Sequence, residues 1–173
     1  AAVTGQAGVW ISTFHSLCAR ILRSDIESLG GFTRNFSIYT DTESDRIVSR
    51  IIKDLGMDDG ELKKTARYHI SFAKNHAFSC DEYAARIKGL PHAEAIAEIY
   101  RRYERHLGEN NALDFDDLLL KTVLLFKTRP EILEKYRDRF RYIHVDEFQD
   151  TNKIQFMLVR MLAAKYGNIF VVG

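Results

Sequence analysis

The chain has 173 residues, of which 46% are apolar and 28% are charged, and its formal net charge is +1. This length is sufficient for one domain with a hydrophobic core, and the near-neutral charge excludes a globally basic surface for nucleic acid, so any DNA contact must come from local groups. No apolar run approaches the ~20 residues that a membrane helix needs, and no secretion signal is visible, so we expect an intracellular, cytoplasmic location.

The first 40 residues predict a strand that passes directly into a helix. Residues 9–14 are rich in β-branched and aromatic side chains, which is typical of strands. Apolar residues then recur at helical spacing from Phe14 to Leu29. Gly30-Gly31 marks the end of this helix, and the segment of about 32–40 is predicted to be irregular or briefly extended.

Residues of about 38–128 are predicted to be almost wholly helical, without strands. Helix starts are indicated by capping boxes, in which a Ser or Thr side chain and a Glu side chain each satisfy a backbone N–H group of the other residue. The residue pairs with this spacing are Thr40–Glu43 and Ser79–Glu82. Asp114 can cap a further helix that runs to about Lys127.

The last part of the chain returns to a mixture of helix and strand. Pro130 opens a helix near 130–138, because proline is favoured in the first helical turn. The segments 141–147 and 168–172 contain β-branched and aromatic residues and are predicted to be strands. A helical block inserted between strands of an α/β sheet is the most economical architecture for this order of elements.

Cysteine and histidine usage does not predict a metal site. Cys18 and Cys80 are far apart, and Cys18 falls on an apolar helical face, which favours a buried free thiol over a disulfide. The six histidines lack ligand spacing, so no zinc site is predicted. Asp114, Asp116 and Asp117 could form a metal cluster, but three acids in the first turn of a helix stabilise its N-terminus in any case, and we prefer that interpretation.

Asp146 and Glu147 directly follow a short, mostly apolar run. A predicted strand would therefore deliver two carboxylates to the edge of a sheet. In nucleotide enzymes Mg²⁺ is held by one or two carboxylates and by phosphate oxygens. Asp146 could take that role, and Glu147 could orient and deprotonate the attacking water. The alternative is a polar turn at the end of a strand.

The longer string that begins at these two acids resembles a family motif. Residues 146–152, Asp-Glu-Phe-Gln-Asp-Thr-Asn, resemble the Walker B motif of the UvrD/Rep-type DNA helicases of superfamily 1, and we call them the acidic segment. The order and spacing of further segments also agree, so the resemblance spans essentially the whole chain. These further segments are 11–18, with Thr-Phe-His-Ser; 34–38; 113–119, with Leu-Asp-Phe-Asp-Asp; and 169–173.

The resemblance implies a fold and a division into domains. The implied fold class is α/β, with a partial parallel RecA-like sheet of the P-loop NTPase type and a large all-helical insertion. Residues 1–37 and 129–173 would form part of the first RecA-like domain. Residues 38–128 would form the helical accessory domain.

The resemblance also implies roles for individual residues, with ATP and Mg²⁺ as cofactors and single-stranded and duplex DNA as partners. Asp146 would bind Mg²⁺ and Glu147 would be the general base. Gln149 and Asp150 would bind neighbouring loops or couple the nucleotide site to DNA. Independently of the resemblance, the residue types of Thr151 and Asn152 indicate that one of them caps the next helix. The expected direction of translocation is 3′→5′.

Three residues at the first strand–helix junction would contact DNA by resemblance. These residues are Thr13, Phe14 and His15, which we call the Thr13–His15 junction. The start of a helix offers N–H groups to a phosphate, which supports such a role. The alternative is that Phe14 packs in the core and that His15 is a satisfied histidine.

One departure from the family pattern limits what these residues can do alone. No Gly-x-x-x-x-Gly-Lys-[Ser/Thr] phosphate loop occurs in the sequence, although such a loop cradles the phosphates of ATP. We therefore interpret the chain as an internal fragment of a larger helicase and expect the fragment itself to be inactive. The alternatives are a non-catalytic helical module that binds DNA or protein, and a helicase-nuclease subunit with the same core.

Overall fold

The computed structural model describes residues 9–57 and 60–173, which form a mixed α/β structure that is mostly helical. The helices are α1 (Phe14–Asp25), α2 (Asp41–Asp54), α3 (Gly60–Asn75), α4 (Cys80–Arg86), α5 (Ala93–Glu109), α6 (Phe115–Thr128), α7 (Pro130–Arg139) and α8 (Lys153–Ala163). The strands are β1 (Ser37–Ile38), β2 (Ala112–Leu113), β3 (Ile143–Val145) and β4 (Ile169–Val171). Single 3₁₀ turns cover Ile26–Leu29 and Phe148–Asp150.

Local capping signals explain where several helices begin. The two capping boxes predicted from spacing, at Thr40 and at Ser79, are both present at the starts of α2 and α4. Asp114 caps α6 as predicted, and Asn152 rather than Thr151 caps α8. In each case the side chain of the cap accepts a hydrogen bond from an N–H group that the helix itself leaves unsatisfied.

Two predictions about strands are wrong. Residues 9–13 form no strand, because no backbone hydrogen bond pairs them with another segment in the part of the chain that the structure describes. The expected strand-free block also contains β2, which pairs in parallel with β1 through Ser37–Ala112 and Ile38–Leu113. Both errors have the same cause, since strand formation depends on distant partners.

The helices enclose two hydrophobic cores. The first core joins α1 with α6, α7 and α8, and Cys18 lies fully buried in it as a free thiol, as predicted. The second core joins α2, α3, α4 and α5 around Tyr103. Helix α6 contributes its apolar side chains to the first core and also contacts α3, so it lies where the two cores meet.

A parallel pair of strands leads to the acidic segment. β3 and β4 pair in register from Ile143–Ile169 to Val145–Val171. The apolar residues of β4 remain exposed, with relative exposures from 42% to 59%, and Val172 after the strand is also exposed. No helix in the described ranges is both long and apolar enough to cross a membrane.

Candidate functional site

The acidic segment begins immediately after β3 and is held by the end of β4. The amide of Val172 donates to the carbonyl of Val145 at 3.0 Å, and the amide of Phe148 donates to the carbonyl of Val172 at 2.8 Å. The turn that carries Asp146 and Glu147 is thus fixed on both sides by backbone hydrogen bonds. Both carboxylates are exposed at the carboxyl end of a parallel strand, where α/β proteins commonly bind ligands.

The backbone of Glu147 adopts an uncommon conformation. Its φ of 51° and ψ of 44° lie in the left-handed region, which residues other than glycine rarely occupy. Its amide donates to Oδ1 of Asp146 at 3.1 Å, and its Oε2 accepts from Nε2 of Gln149 at 2.5 Å. Such strain costs about 1–3 kcal/mol and tends to occur at functional sites. These contacts hold the Glu147 carboxylate in one orientation.

The two carboxylates suit Mg²⁺ as part of a shared ligand set. Asp146 uses Oδ1 for a backbone contact, and neither acid forms an ion pair with Lys, Arg or His within residues 9–57 and 60–173. The same ranges contain no group of three His, Cys, Asp or Glu side chains that could hold a metal ion unaided. This donor set therefore fits a Mg²⁺ ion that takes its remaining ligands from water and phosphate.

The rest of the acidic segment lies between these acids and α8. The side chain of Gln149 lies so close to Gly173 that a Cβ atom there would come within 2.1 Å of Oε1 of Gln149. Asp150 is exposed in the 3₁₀ turn. The side chain of Asn152 accepts from the amide of Gln155, and the amide of Asn152 donates to Oε1 of Gln155, which completes a capping box. Gln149 is thus placed beside Glu147, whereas Asn152 anchors the following helix.

The Thr13–His15 junction forms the N-terminus of α1. Thr13 is the cap, and its hydroxyl oxygen accepts from the amide of Ser16 at 3.3 Å. Phe14 is half-buried and packs against the first core. His15 is also half-buried and makes an edge contact with the ring of Phe115, with ring centroids 5.8 Å apart. Hence Phe14 has a packing role in any case, while the first-turn N–H groups face outward from the positive end of a helix.

Sequence reasoning did not find Asn75, which links the acidic segment to other elements. Its Oδ1 accepts from Nδ2 of Asn152 at 2.8 Å, and its Nδ2 donates to Oδ1 of Asp116 at 2.8 Å. These partners are 77 and 41 residues away along the chain. An asparagine at the end of a helix is ordinary, so no local signal could have identified this residue.

Sequence reasoning also missed a buried ion cluster around Lys74. This lysine is fully buried, and its Nζ lies 2.8 Å from Asp114, 2.8 Å from Asp117 and 2.7 Å from Glu104. Asp114 and Asp117 form the capping box of α6, so the preferred interpretation of these acids as helix-stabilising groups agrees with their geometry. They also neutralise a lysine that would otherwise be buried without a partner.

Burial and neighbouring charges shift the pKa values in this cluster in opposite directions. Burial raises the pKa of Asp117 to about 7, although the positive charge of Lys74 works against this shift. Lys74 lowers the pKa values of Asp114 and Glu104 despite their burial, and the three acids keep the pKa of Lys74 well above its usual value. The cluster therefore holds its positive charge firmly and takes up a proton near neutral pH.

A family model described as the UvrD/REP helicase N-terminal domain matches residues 2–173. The chain belongs to this family. It is 41% identical over 170 residues to the ATP-dependent DNA helicase PcrA of Bacillus subtilis strain 168, which covers 98% of the chain and 23% of that relative. The PcrA helicases of Staphylococcus epidermidis strain RP62A and Staphylococcus aureus strain Mu50 are each 41% identical over 167 residues.

Membership of the UvrD/REP helicase family confirms the resemblance inferred from the motifs. The chain spans less than a quarter of the length of these curated relatives, 23% of the first and 22% of the others.

Proposed function

We propose that this chain is part of an ATP-dependent DNA helicase, which translocates along single-stranded DNA and uses ATP hydrolysis to unwind the duplex ahead. The PcrA relatives are named as ATP-dependent DNA helicases. The observation that carries the proposal is the acidic segment, where two exposed carboxylates without a cationic partner in residues 9–57 and 60–173 follow a parallel strand. The proposed direction is 3′→5′.

Within this function, Asp146 holds Mg²⁺ and Glu147 accepts a proton from the attacking water. The ion, when bound with ATP, neutralises charge that develops on the phosphate oxygens. Gln149 donates to the Glu147 carboxylate and so orients its free oxygen, while Asp150 lies on the same turn as a residue of the nucleotide site or of its coupling to DNA. The groups that cradle the phosphates are supplied by other parts of the longer protein.

The Thr13–His15 junction contacts the DNA backbone in this proposal. Its first-turn N–H groups and the His15 ring suit phosphate and sugar oxygens. The hydroxyl of Thr13 already caps α1, so its part is to fix the helix start against which the backbone lies. Phe14 contributes by packing this start against the first core.

The proposed architecture is a RecA-like domain that carries a helical accessory insertion. The expected insertion, residues 38–128, contains the second core formed by α2–α5. Helix α6, at the end of this range, packs in the first core, which we assign to the RecA-like part together with β3 and β4. The exposed apolar side chains of β4 support this proposal, because large apolar patches on a sheet call for a cover. Further strands of the same sheet, from other parts of the longer protein, would provide it.

The test is Glu147→Gln in the full-length protein. Glutamine preserves size and can still accept the hydrogen bond from Gln149, but it cannot accept a proton. ATP binding should persist while DNA-stimulated hydrolysis falls by about 10²–10⁴-fold, the usual contribution of a general base. Glu109→Gln, at the exposed end of α5, is the matched control. Turnover within a few-fold of wild type would remove Glu147 from this role.

Residues 1–173 alone provide a second test. The sequence lacks a phosphate loop, and phosphoryl transfer depends mostly on positioning of the phosphates. We therefore expect no measurable ATP hydrolysis by the purified fragment, with or without DNA. Sustained turnover by the fragment would contradict the assigned division of labour between this chain and the rest of the protein.

A further inference from the structure

The first turn of α6 contacts both candidate sites. The ring of Phe115 lies against the ring of His15, with centroids 5.8 Å apart. The next residue, Asp116, accepts from Nδ2 of Asn75 at 2.8 Å, and Oδ1 of Asn75 in turn accepts from Nδ2 of Asn152 at 2.8 Å. A path of side-chain contacts, joined by the backbone between Phe115 and Asp116, therefore runs from the proposed DNA junction to the last residue of the acidic segment.

Asn75 occupies a fixed position in this path. It is the last residue of α3, and its Nδ2 also donates to the carbonyl of Ser71 at 3.0 Å. The preceding residue, Lys74, is fully buried in its ion cluster with the first turn of α6. The end of α3 therefore cannot move relative to α6 without breaking buried charge pairs, which is energetically costly.

We propose that Asn75 is a positioning residue, which links the DNA junction to the acidic segment and makes ATP hydrolysis responsive to bound DNA. Its amide group acts as donor to Asp116 and as acceptor for Asn152 at the same time. Because the end of α3 is tied to α6, Asn75 follows α6, and a displacement of about 1 Å would break its hydrogen bond to Asn152. The placement of Asn152, and hence of the turn before it, depends on the position of α6.

This inference rests on the proposed function, because it concerns how the same two sites are coupled. A continuous path of contacts becomes a coupling only when a change at one site alters the free energy at the other. The informative measurement is consequently the ratio of DNA-stimulated to DNA-free ATP turnover, since a general loss of folded protein lowers both rates together and leaves their ratio unchanged.

The first variant is Asn75→Ala in the full-length protein, which removes the hydrogen bonds to Asp116 and Asn152 together with the bonds to Ser71 within α3. We expect the ratio of stimulated to DNA-free turnover to fall by about 3–10-fold, the range that the loss of one net hydrogen bond corresponds to. The matched control is Asn110→Ala, because Asn110 ends α5 and its side chain bonds to His106 within that helix. The control should leave the ratio unchanged.

The second variant tests the contact between Asn75 and Asp116 directly. Asn75→Asp keeps the acceptor for Asn152 but places a second carboxylate beside Asp116, so the ratio should fall at least as far as in Asn75→Ala. Adding Asp116→Asn again places one amide and one carboxylate at this contact, with the carboxylate now at position 75 and the amide at position 116. We expect this double variant to return the ratio to within about twofold of wild type, as a non-additive pair does in a double-mutant cycle.

Two results would overturn the inference. One is an unchanged ratio in Asn75→Ala; if both rates fall equally and the Tm is lower, Asn75 acts in folding alone. The other is a double variant that recovers nothing. Failure of the proposed function itself has a different signature, since Glu147→Gln would then hydrolyse ATP at nearly the wild-type rate whatever the Asn75 variants do.

Discussion

Two groups of acidic residues in this protein resemble each other in sequence and differ in their surroundings. Asp114 and Asp117 are buried and surround the Nζ atom of Lys74. Asp146 and Glu147 are exposed, and no ion pair joins them to a cation in residues 9–57 and 60–173. Both groups follow an apolar residue and lie beside the first turn of a helix or 3₁₀ turn.

The comparison separates acids that stabilise the fold from acids that remain available for a ligand. A buried carboxylate must be paired, because removing an uncompensated charge from water costs several kcal/mol. An exposed carboxylate keeps its lone pairs for an external cation, and hard cations such as Mg²⁺ prefer such oxygens. The structural cluster therefore differs from the candidate site in that its carboxylates are paired with a lysine. This pairing is visible only in the folded chain.

The largest expected effect in this comparison comes from Lys74→Met. The variant leaves three carboxylates in the interior with only Lys121 nearby. Breaking a buried ion cluster in this way typically costs about 3–5 kcal/mol. The Tm of the full-length protein, with hydrogen exchange of the α3 and α6 amides to localise the change, measures this loss.

Lys135→Met is the control for the Lys74 variant. Lys135 is more than half exposed, and its partner Asp25 also accepts a hydrogen bond from Tyr136 that the variant keeps. Ion pairs with an exposed partner contribute about 0–1 kcal/mol. The amide exchange and the Tm of the Lys135→Met protein should stay close to those of wild type. If Lys74→Met and Lys135→Met lowered the Tm by similarly small amounts, the buried cluster would not be a major contributor to stability.

The two acidic groups also show which features the sequence could predict. The capping boxes at Thr40 and Ser79 depend on residues three apart, so spacing alone predicted them correctly. The carboxylates of the acidic segment were likewise placed at the end of a strand, as the structure has them. Asp114 was predicted as a helix cap, which is also correct.

Interactions between distant residues account for what the sequence could not predict. Lys74 meets Asp114 and Asp117 from 40 or more positions away, and no periodicity connects them. The strand expected at 9–14 is wrong for a related reason, since β propensity describes a residue's fit to a pleated surface and does not supply the partner strand. In both cases the structure depends on contacts with segments that are far away along the chain.

The pH dependence of stability should reveal the buried group. Burial raises the pKa of Asp117 from its ordinary value of about 4 to about 7. Its contribution to stability is therefore fully present below about pH 4 and is lost as pH rises towards 7, at up to about 1.4 kcal/mol per pH unit. Unfolding free energies of the full-length protein between pH 5 and 7.5 should decrease accordingly.

Asp117→Asn isolates this contribution. It leaves two carboxylates, Asp114 and Glu104, facing two lysines, Lys74 and Lys121, so that the cluster is neutral. The decrease with pH should flatten in this variant. Burial lowers the pKa of His69, which contributes a slope of opposite sign near pH 6, so the difference between variant and wild type is the relevant quantity. An identical slope in both proteins would contradict the raised pKa.

The exposed group should give the opposite result, since it contributes to function rather than to stability. Asp146→Asn in the full-length protein should change the unfolding free energy by no more than about 0.5 kcal/mol, as surface substitutions usually do. The Mg²⁺ concentration that gives half-maximal ATP turnover should nevertheless rise, because a neutral amide is a poorer ligand for a hard cation. A large loss of stability with unchanged Mg²⁺ dependence would place Asp146 with the structural acids.

The smallest expected effect on function concerns the Thr13–His15 junction, which has both structural and functional contacts. Thr13→Ala removes the cap of α1, whose loss costs about 1 kcal/mol of stability, whereas Thr13→Ser keeps the hydroxyl and serves as the control. Combined with His15→Ala, Thr13→Ala should weaken binding of single-stranded DNA by about 0.5–1.5 kcal/mol per lost hydrogen bond. The loss should be equal for different base sequences, because backbone contacts carry no sequence information.

Phe14→Ala should mainly lower the Tm, since Phe14 packs against the first core. If the Thr13/His15 double variant binds single strands as tightly as wild type while its Tm falls, this junction stabilises the fold and the DNA contacts lie elsewhere.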